Sequence, residues 1–195
     1  MNFNNLLELY NLMDRTVLFN HVESNELLPF ANSIEKFKLE IKKRYENDDH
    51  LAEVLNLLKK IFFKLASSLL PYNKAINKDS EDHVLSKFIQ IKKSYPELFT
   101  KVVLPIAKSF KQVIESTNNY LYEHLCNYIN IKAEAGLKVA IVTKRAITIE
   151  ERLLIQNGLK SFLKVSFFTE NSFRKDKETF DEVVFVGNPS YFGEY

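Results

Sequence analysis

The residues of this 195-residue chain that could bind an anion follow short apolar runs in its last third. Thr143, Lys144 and Arg145 come directly after the first of these runs, and Asn188 comes after the third. A helix that Thr148 would cap follows, so two cations would stand beside a helix amino end, where phosphate can bind. Alternatively, Lys144 and Arg145 are solvated loop charges. The candidate ligand residues are therefore Thr143, Lys144, Arg145 and Asn188.

The sequence lacks the motifs of several other chemistries. Neither a Walker-type phosphate loop nor G-x-G-x-x-G occurs, and the four histidines have no metal-binding spacing. The single Cys126 excludes an internal disulfide and is expected to pack in the core. Asp181 and Glu182 stand at the start of a predicted strand, where capping is the expected role. We accordingly predict no catalytic residues, no metal and no cofactor, and favour a chain that is not an enzyme by itself.

The first 135 residues are predicted to be helical, because all four glycines lie after them and tight β-turns favour glycine. Apolar residues at steps of three and four predict one helix over about 49–70, one from about Ser33 to Tyr45, and one from about Asp79 to the residue before Pro96. With Pro105 in its first turn, a further apolar face continues to Gly136, which predicts one helix of about 30 residues.

After Gly136 the hydrophobic pattern changes to that of β-strands. Residues 137–143, 164–169 and 182–186 are compact apolar runs of strand length. Between the first two lies a capping box from Thr148 to Glu151, which predicts a strand-helix-strand unit with parallel pairing. The fold class is thus mostly α, with a helical domain at 1–136 and a small, incomplete α/β unit of three parallel strands at 137–195. Either the helical part covers this small sheet, or the chain is cut from a longer protein, which we favour.

Two of the predicted helices carry many basic side chains on their polar faces. These are Lys36, Lys38, Lys42, Lys43, Arg44, Lys59, Lys60 and Lys64. Such a set is typical of a nucleic-acid patch and equally of a solvated face, since Glu35, Glu40, Glu46 and Glu53 are interleaved at pairing distance. The aromatic pairs Phe62-Phe63 and Phe167-Phe168 are expected to be buried in the core rather than to stack on bases.

The composition indicates a folded intracellular protein. With 46% hydrophobic and 13% aromatic residues, the chain can fill a core, which excludes disorder for most of it. A net charge of +2 leaves no strong field of either sign. The start shows no leader pattern, and no window approaches the roughly 18 uncharged apolar residues of a membrane span. We expect a cytoplasmic protein without membrane contact.

Residues 137–195 combine the run LKVAIVTKR, a short helix, the run VSFFTE and the segment FDEVVFVGNPSYFGEY. This arrangement resembles the start of the second RecA-like domain of superfamily 2 helicases, in which a strand ending in Thr or Ser opens the domain. With the helical region before it, the chain is also similar to the DrmE component of the bacterial DISARM anti-phage system. The resemblance implies a RecA-like fold and a nucleic-acid or defence setting. It does not imply ATPase activity, because the arginine-finger and ATP-binding motifs of helicases are absent from the sequence.

We therefore expect a non-catalytic helical and α/β module of a bacterial multi-protein system, associated with nucleic acid and phage defence. Its partners would be other defence-system subunits and DNA or RNA. One alternative is a fragment of a helicase-like or nucleotide-binding enzyme whose site is completed beyond Tyr195 or by a partner. Another is a protein-interaction scaffold that uses an amphipathic face on a first helix. That face would comprise Leu6, Leu7, Leu9, Tyr10 and Met13.

Overall fold

The computed structural model of the chain describes residue 18 and residues 20–159 and 165–187. In them a helical region precedes a small parallel sheet with its own helices, which confirms the predicted fold class. The helical region contains α1 (Leu27–Arg44), α2 (Asp49–Ala66), α3 (Tyr72–Ala75), α4 (Lys78–Ser94), α5 (Pro96–Leu98), a π-helical turn (Phe99–Val103), α6 (Leu104–Glu115) and α7 (Tyr120–Glu134). The sheet region contains β1 (Val139–Thr143), α8 (Ile149–Gly158), β2 (Val165–Thr169), α9 (Glu170–Phe173) and β3 (Glu182–Val186). The predicted first-helix face and Asn188 lie outside the described residues.

Side-chain caps determine where α1 and α2 begin. The Asp48 carboxylate accepts a hydrogen bond from the backbone N–H of Leu51 at 3.0 Å, so α2 starts where its apolar spacing predicts. The predicted start of α1 at Ser33 is wrong, because the helix already begins at Leu27. The Ser24 hydroxyl accepts a bond from the Leu27 N–H at 3.1 Å, while the Ser33 hydroxyl donates to a carbonyl one turn earlier inside the helix.

The end of α2 is set by a contact with the sheet region. The helix ends at Ala66 instead of the predicted residue 70. The backbone N–H of Leu69 donates to the Glu151 carboxylate at 2.9 Å. This N–H is therefore not available to a carbonyl of α2, and the chain leaves the helix before it reaches Leu69.

The single long helix predicted up to Gly136 is wrong, because the structure divides it into α6 and α7. Asn119, which is 3% exposed, lies at the break. Its amide donates to the carbonyls of Ser68 at 2.8 Å and Leu70 at 2.5 Å, and its oxygen accepts a bond from the Tyr122 N–H at 3.0 Å. Asn119 thus supports the start of α7 and fixes it against the segment that follows α2.

Pro105 lies in the first turn of α6, as predicted, but helical backbone already precedes it in α5 and the π-helical turn. The Leu104 N–H donates to the carbonyl of Phe99, five residues earlier. Since proline has no N–H and its ring crowds the carbonyl four residues before it, a wider turn at this point accommodates it. The same turn leaves both Leu98 and Val103, five residues apart, buried in the core.

The sheet is parallel with strand order β2-β1-β3. The predicted strands are confirmed, although β1 and β2 begin slightly later than predicted. Every residue of the central strand β1 is buried, which agrees with its continuous apolar sequence. In register, Ile141 of β1 lies opposite Phe167 of β2 and Val184 of β3.

The two faces of the sheet have different covers. Val139 and Ile141 pack with Ile155 of α8, and with Ile129 of α7 and Leu69 from the helical region. The helical region thus covers one face of the sheet, while a separate cluster fills its own core.

The opposite face carries an aromatic cluster. Phe168 of β2 alternates with Phe167 and therefore points to this side. Its ring lies 5.5 Å from both Phe173 and Phe180 of the β2–β3 connection, measured between centroids. Phe173 in turn lies 6.3 Å from Phe185 of β3. The two crossovers of the sheet therefore pass on opposite sides of it.

Replacing Asn119 with alanine is expected to lower the free energy of unfolding by about 2–3 kcal/mol, because one helix cap is lost and two carbonyls lose their donor. Its neighbour Asn118 is exposed, so Asn118→Ala is expected to change stability by less than about 0.5 kcal/mol. Urea unfolding followed by circular dichroism measures both values. Equal losses in the two variants would contradict the role given to Asn119.

Candidate functional site

The strand order defines the edge of the sheet at which a ligand is expected. From β1 the chain crosses through α8 to β2, and then returns on the opposite side of the sheet to β3. The carboxyl ends of β1 and β3 therefore form a topological switch point, where ligands of open parallel sheets bind. Thr143 and Val186 are paired at this edge. We call this location the switch-point edge.

Thr143 is buried at the switch-point edge and holds the loop after β1. Its hydroxyl lies 2.6 Å from the carbonyl oxygen of Arg145 and 3.2 Å from that of Phe168. Both contacts use the hydroxyl proton, so they bind the turn to the chain's own backbone. A direct contact of Thr143 with a ligand stays a prediction.

Arg145 is bound to a buried carboxylate. Its two terminal guanidinium nitrogens donate to the two oxygens of Glu151 at 2.8 and 2.5 Å, in the bidentate geometry of a strong pair. Glu151 is 0% exposed and also accepts the backbone N–H groups of Thr148 and Leu69, each at 2.9 Å. The predicted capping box of Thr148 and Glu151 is confirmed, and its glutamate has partners beyond the helix.

The pKa of Glu151 is about 2, well below its ordinary value of 4.5. Burial, the largest single influence, opposes ionisation and raises this pKa, but the hydrogen bonds from Arg145, Thr148 and Leu69 together lower it by more. Glu151 is therefore ionised at neutral pH. A phosphate that approached Arg145 would compete with a preformed ion pair.

Lys144 is the predicted cation with the greater freedom to bind a ligand. Its ammonium lies 3.1 Å from Glu170, whose other oxygen accepts a bond from Arg174 at 2.9 Å. The side chain of Lys144 is 54% exposed, while Glu170 is 15% exposed and keeps Arg174 as a second cationic partner. An anion could therefore replace the carboxylate at Lys144 at little cost.

Asn188 lies outside the described residues, so its part in the site stays a prediction. Gly187 directly before it has a φ of 133°, a conformation that favours glycine and turns the chain at the end of β3. Sequence reasoning did not select Glu170 as a site residue and identified Glu151 only as a cap. Each of these two acids pairs with one of the predicted cations. The geometry of the loop determines this pairing, and no local sequence motif indicates it.

Two other residues with potentially reactive side chains, Cys126 and Asp181, have structural roles. Cys126 is buried, as predicted, and burial raises the pKa of its thiol. The Asp181 carboxylate accepts the Lys138 N–H at 2.7 Å, in keeping with the predicted capping role. Among residues 20–159 and 165–187, no group of three or more His, Cys, Asp or Glu side chains is arranged to hold a metal ion.

A second candidate for ligand binding is a set of exposed lysines on α1 and α2, and we call this set the basic face. It consists of Lys36 and Lys43 of α1 with Lys60 and Lys64 of α2, all of which are exposed. Seven residues separate the first pair and four the second, so the members of each pair lie on one side of their helix. Within the described chain, none of the four has a carboxylate oxygen within the 4.0 Å of an ion pair.

Three of the four interleaved acidic residues pair with other cations, and Glu46 has no ion pair in the described chain. The pairs are Glu35 with Lys38 at 2.8 Å, Glu40 with Arg44 at 2.9 Å and Glu53 with Lys87 of α4 at 2.9 Å. Glu35, Glu40 and Glu53 thus form ion pairs with cations outside the basic face, and its four lysines keep their ammonium groups accessible to an external anion.

The expected burial of Phe63 is wrong, because this side chain is 46% exposed. The core side of α2 is formed by residues that include Leu58, Ile61 and Leu65. At about 100° per residue, Phe63 lies roughly 140° round the helix from Leu58, five residues earlier, and so faces away from that core. Phe63 lies on the outward side of α2 and adjoins Lys64 of the basic face in sequence.

Comparison of the chain with protein-family models, curated proteins and solved structures found no match. None of the described helices combines the length and the apolar composition that crossing a membrane requires. The function proposed below accordingly depends on the basic face and the switch-point edge.

Replacing Glu151 with glutamine is expected to lower the free energy of unfolding by about 3 kcal/mol at neutral pH, since a bidentate charged partner of Arg145 is lost. Glu150 lies in the same helical turn but is exposed, so Glu150→Gln is expected to cost at most about 1 kcal/mol. Urea unfolding at pH 7 compares the two variants.

The deficit of Glu151→Gln is expected to shrink as the pH falls. A carboxyl whose pKa is lowered to about 2 by folding contributes stability that is present above 4.5, its ordinary value, and is lost as pH falls toward 2. The wild-type chain should therefore lose roughly 3 kcal/mol over this range relative to the glutamine variant. Unfolding curves at pH 7, 4 and 2.5 measure the difference, and a pH-independent deficit would contradict the assignment.

Proposed function

We propose that the chain is a non-catalytic, nucleic-acid-associated module of a bacterial multi-protein system and that its basic face binds the backbone of DNA or RNA. The observation that carries the proposal is the set of four exposed lysines without carboxylate partners in the described chain. The resemblance of residues 137–195 to the second RecA-like domain of superfamily 2 helicases, and of the chain to DrmE, supports a setting in phage defence. Other defence-system subunits would then be its partners.

The type of side chain suggests which part of the nucleic acid is bound. A lysine ammonium is a compact point charge that binds phosphate, and phosphate contacts carry no sequence information, so binding should depend little on sequence. Phe63 presents a half-exposed ring on the same helix, on which an unpaired base could stack. We therefore expect single strands to bind more tightly than duplexes.

Fluorescence anisotropy with labelled single-stranded and duplex oligonucleotides tests this proposal. If each of four lysines neutralises one phosphate of a single strand, the affinity should fall with a log–log salt slope of about −3, or roughly 60-fold between 50 and 200 mM salt. Absence of binding at low salt, or binding that does not respond to salt, would contradict the proposal.

The double variant Lys43→Gln/Lys60→Gln assigns the binding to the basic face. Its salt slope should be shallower by about 1.4, because two phosphate contacts are lost. The control is Lys74→Gln/Lys93→Gln, which removes the same charge from exposed positions on α3 and α4. If the control weakens binding as much as the double variant does, net charge rather than the basic face is responsible.

A second candidate function is the binding of a phosphate or nucleotide at the switch-point edge, in a site completed by residues beyond Tyr195 or by a partner. The observation that favours it is the position of Lys144 at the carboxyl end of β1, in an exposed and exchangeable ion pair.

Thermal unfolding with inorganic phosphate or ATP tests the second candidate, because a ligand that binds only the folded chain raises the midpoint. The rise should be smaller in Lys144→Gln and unchanged in Lys138→Gln. Lys138 is a fair control, since it also pairs with a glutamate, Glu178 at 2.9 Å, but lies at the opposite end of β1. No rise in the wild-type chain at millimolar ligand would count against this function.

A further inference from the structure

Helix α4 carries two large apolar side chains on its surface. Leu85 is 39% exposed and Ile89 is 55% exposed. They are four residues apart and therefore share one side of the helix. Val84, Phe88 and Ile91 are the residues of α4 that are buried in the core of the helical region. A partner that covers Leu85 and Ile89 would remove their apolar surface from water, which favours association.

Charged residues continue the same side of α4 at both ends of this apolar pair. Asp82 lies three residues before the pair and Lys92 three residues after it, so together they follow the steps of three and four along which helices pair. Both charged side chains are exposed. Asp82 lies 3.4 Å from Lys78, and the Lys92 ammonium lies 5.9 Å from the centre of the Phe99 ring. These are weak surface contacts, which an ion pair with a partner could replace.

The acidic and basic ends of this side of α4 are complementary to each other when two copies of the helix pair antiparallel. With a two-fold axis midway between the apolar residues, Leu85 of one copy lies opposite Ile89 of the second copy. The same axis places Asp82 opposite Lys92 of the second copy. Symmetry repeats each contact, so the pairing contains two apolar contacts and two ion pairs between Asp82 and Lys92.

The neighbouring flank of α4 is complementary in the same arrangement. Asp79 and Lys93 are exposed on this flank. The antiparallel pairing brings Asp79 of one copy near Lys93 of the second copy. A parallel pairing would instead place Asp82 against Asp82 and Lys92 against Lys92, where like charges repel. The charges of α4 therefore favour the antiparallel arrangement.

We propose that α4 binds the same side of α4 in a second copy of the chain and so forms a two-fold, antiparallel dimer. One helix pair buries less than the roughly 1,200 Å² at the lower end of stable interfaces, so association should need chain concentrations on the order of 100 μM. A dilute chain is therefore monomeric. Because a two-fold contact uses the same patch on both copies, assembly stops at two chains.

Sedimentation of the full chain over a concentration series from about 10 to about 500 μM tests the proposal, and the mass should rise from one chain to two. Asp82→Lys and Lys92→Asp each replace two attractive contacts with two repulsive ones, and each should weaken the dimer about tenfold or more. Both residues are exposed, so the variants should fold, which circular dichroism checks.

A mixture of the two variants tests the pairing of these particular residues. A chain with Asp82→Lys and a chain with Lys92→Asp attract each other at both contacts, so their equimolar mixture should associate about as tightly as the wild-type chain. Lys108→Asp is the matched control, because it makes the same charge change at an exposed position on α6. It should leave the association unchanged.

Four results would overturn the proposal. They are a wild-type chain that stays monomeric at about 500 μM, assemblies larger than two chains, single variants that associate as tightly as the wild type, and a mixture that associates no more tightly than either variant alone.

Discussion

A single buried carboxylate joins the helical region to the sheet region. Glu151 belongs to α8, yet it accepts the N–H of Leu69 after α2 and the guanidinium of Arg145 after β1. A buried charge is tolerated only when paired and fully hydrogen-bonded, so these contacts must form together. The end of α2 and the loop at the switch-point edge are thus positioned by the same side chain. A ligand that altered the loop would also act on the connection to the helical region.

Other polar contacts continue this connection along α7. The Tyr122 hydroxyl donates to the carbonyl of Leu154 at 3.1 Å, and the Asn130 amide donates to the carbonyl of Gly158 at 3.0 Å. Burial, the largest influence, raises the pKa of Tyr122 to about 12 and keeps its hydroxyl a donor. A Cβ on Gly158 would lie 2.4 Å from this hydroxyl, so any other residue there would have to displace the Tyr122 side chain. The two regions therefore meet through specific contacts as well as apolar packing.

Local sequence patterns were sufficient to predict the features that depend only on neighbouring residues. The strands, the start of α2 and the capping box of Thr148 each follow from a few neighbouring residues, and the structure confirms them. The errors have distant causes. Asn119 breaks the predicted long helix through Ser68, 51 residues earlier in the chain.

The candidate site shows the same division between local and distant causes. The strand pattern placed Thr143 and Lys144 at the carboxyl end of β1, where the structure also has them. It did not show that Glu151 and Glu170 would pair with the two cations there. Periodicity alone was enough to place Phe63 outside the core of α2, because its position is about 140° round the helix from the buried Leu58.

The packing of the helical region depends on the number of residues in the π-helical turn before α6. Leu98 and Val103 both reach the core although they are five residues apart, while Val103, Ile106 and Phe110 follow the ordinary steps of three and four. Loss of one residue from this turn would restore regular helix but rotate everything before it by about 100°. The π-helical turn is therefore far less tolerant of deletion than of substitution. Its extra residue positions α5 so that α5 packs against the rest of the core.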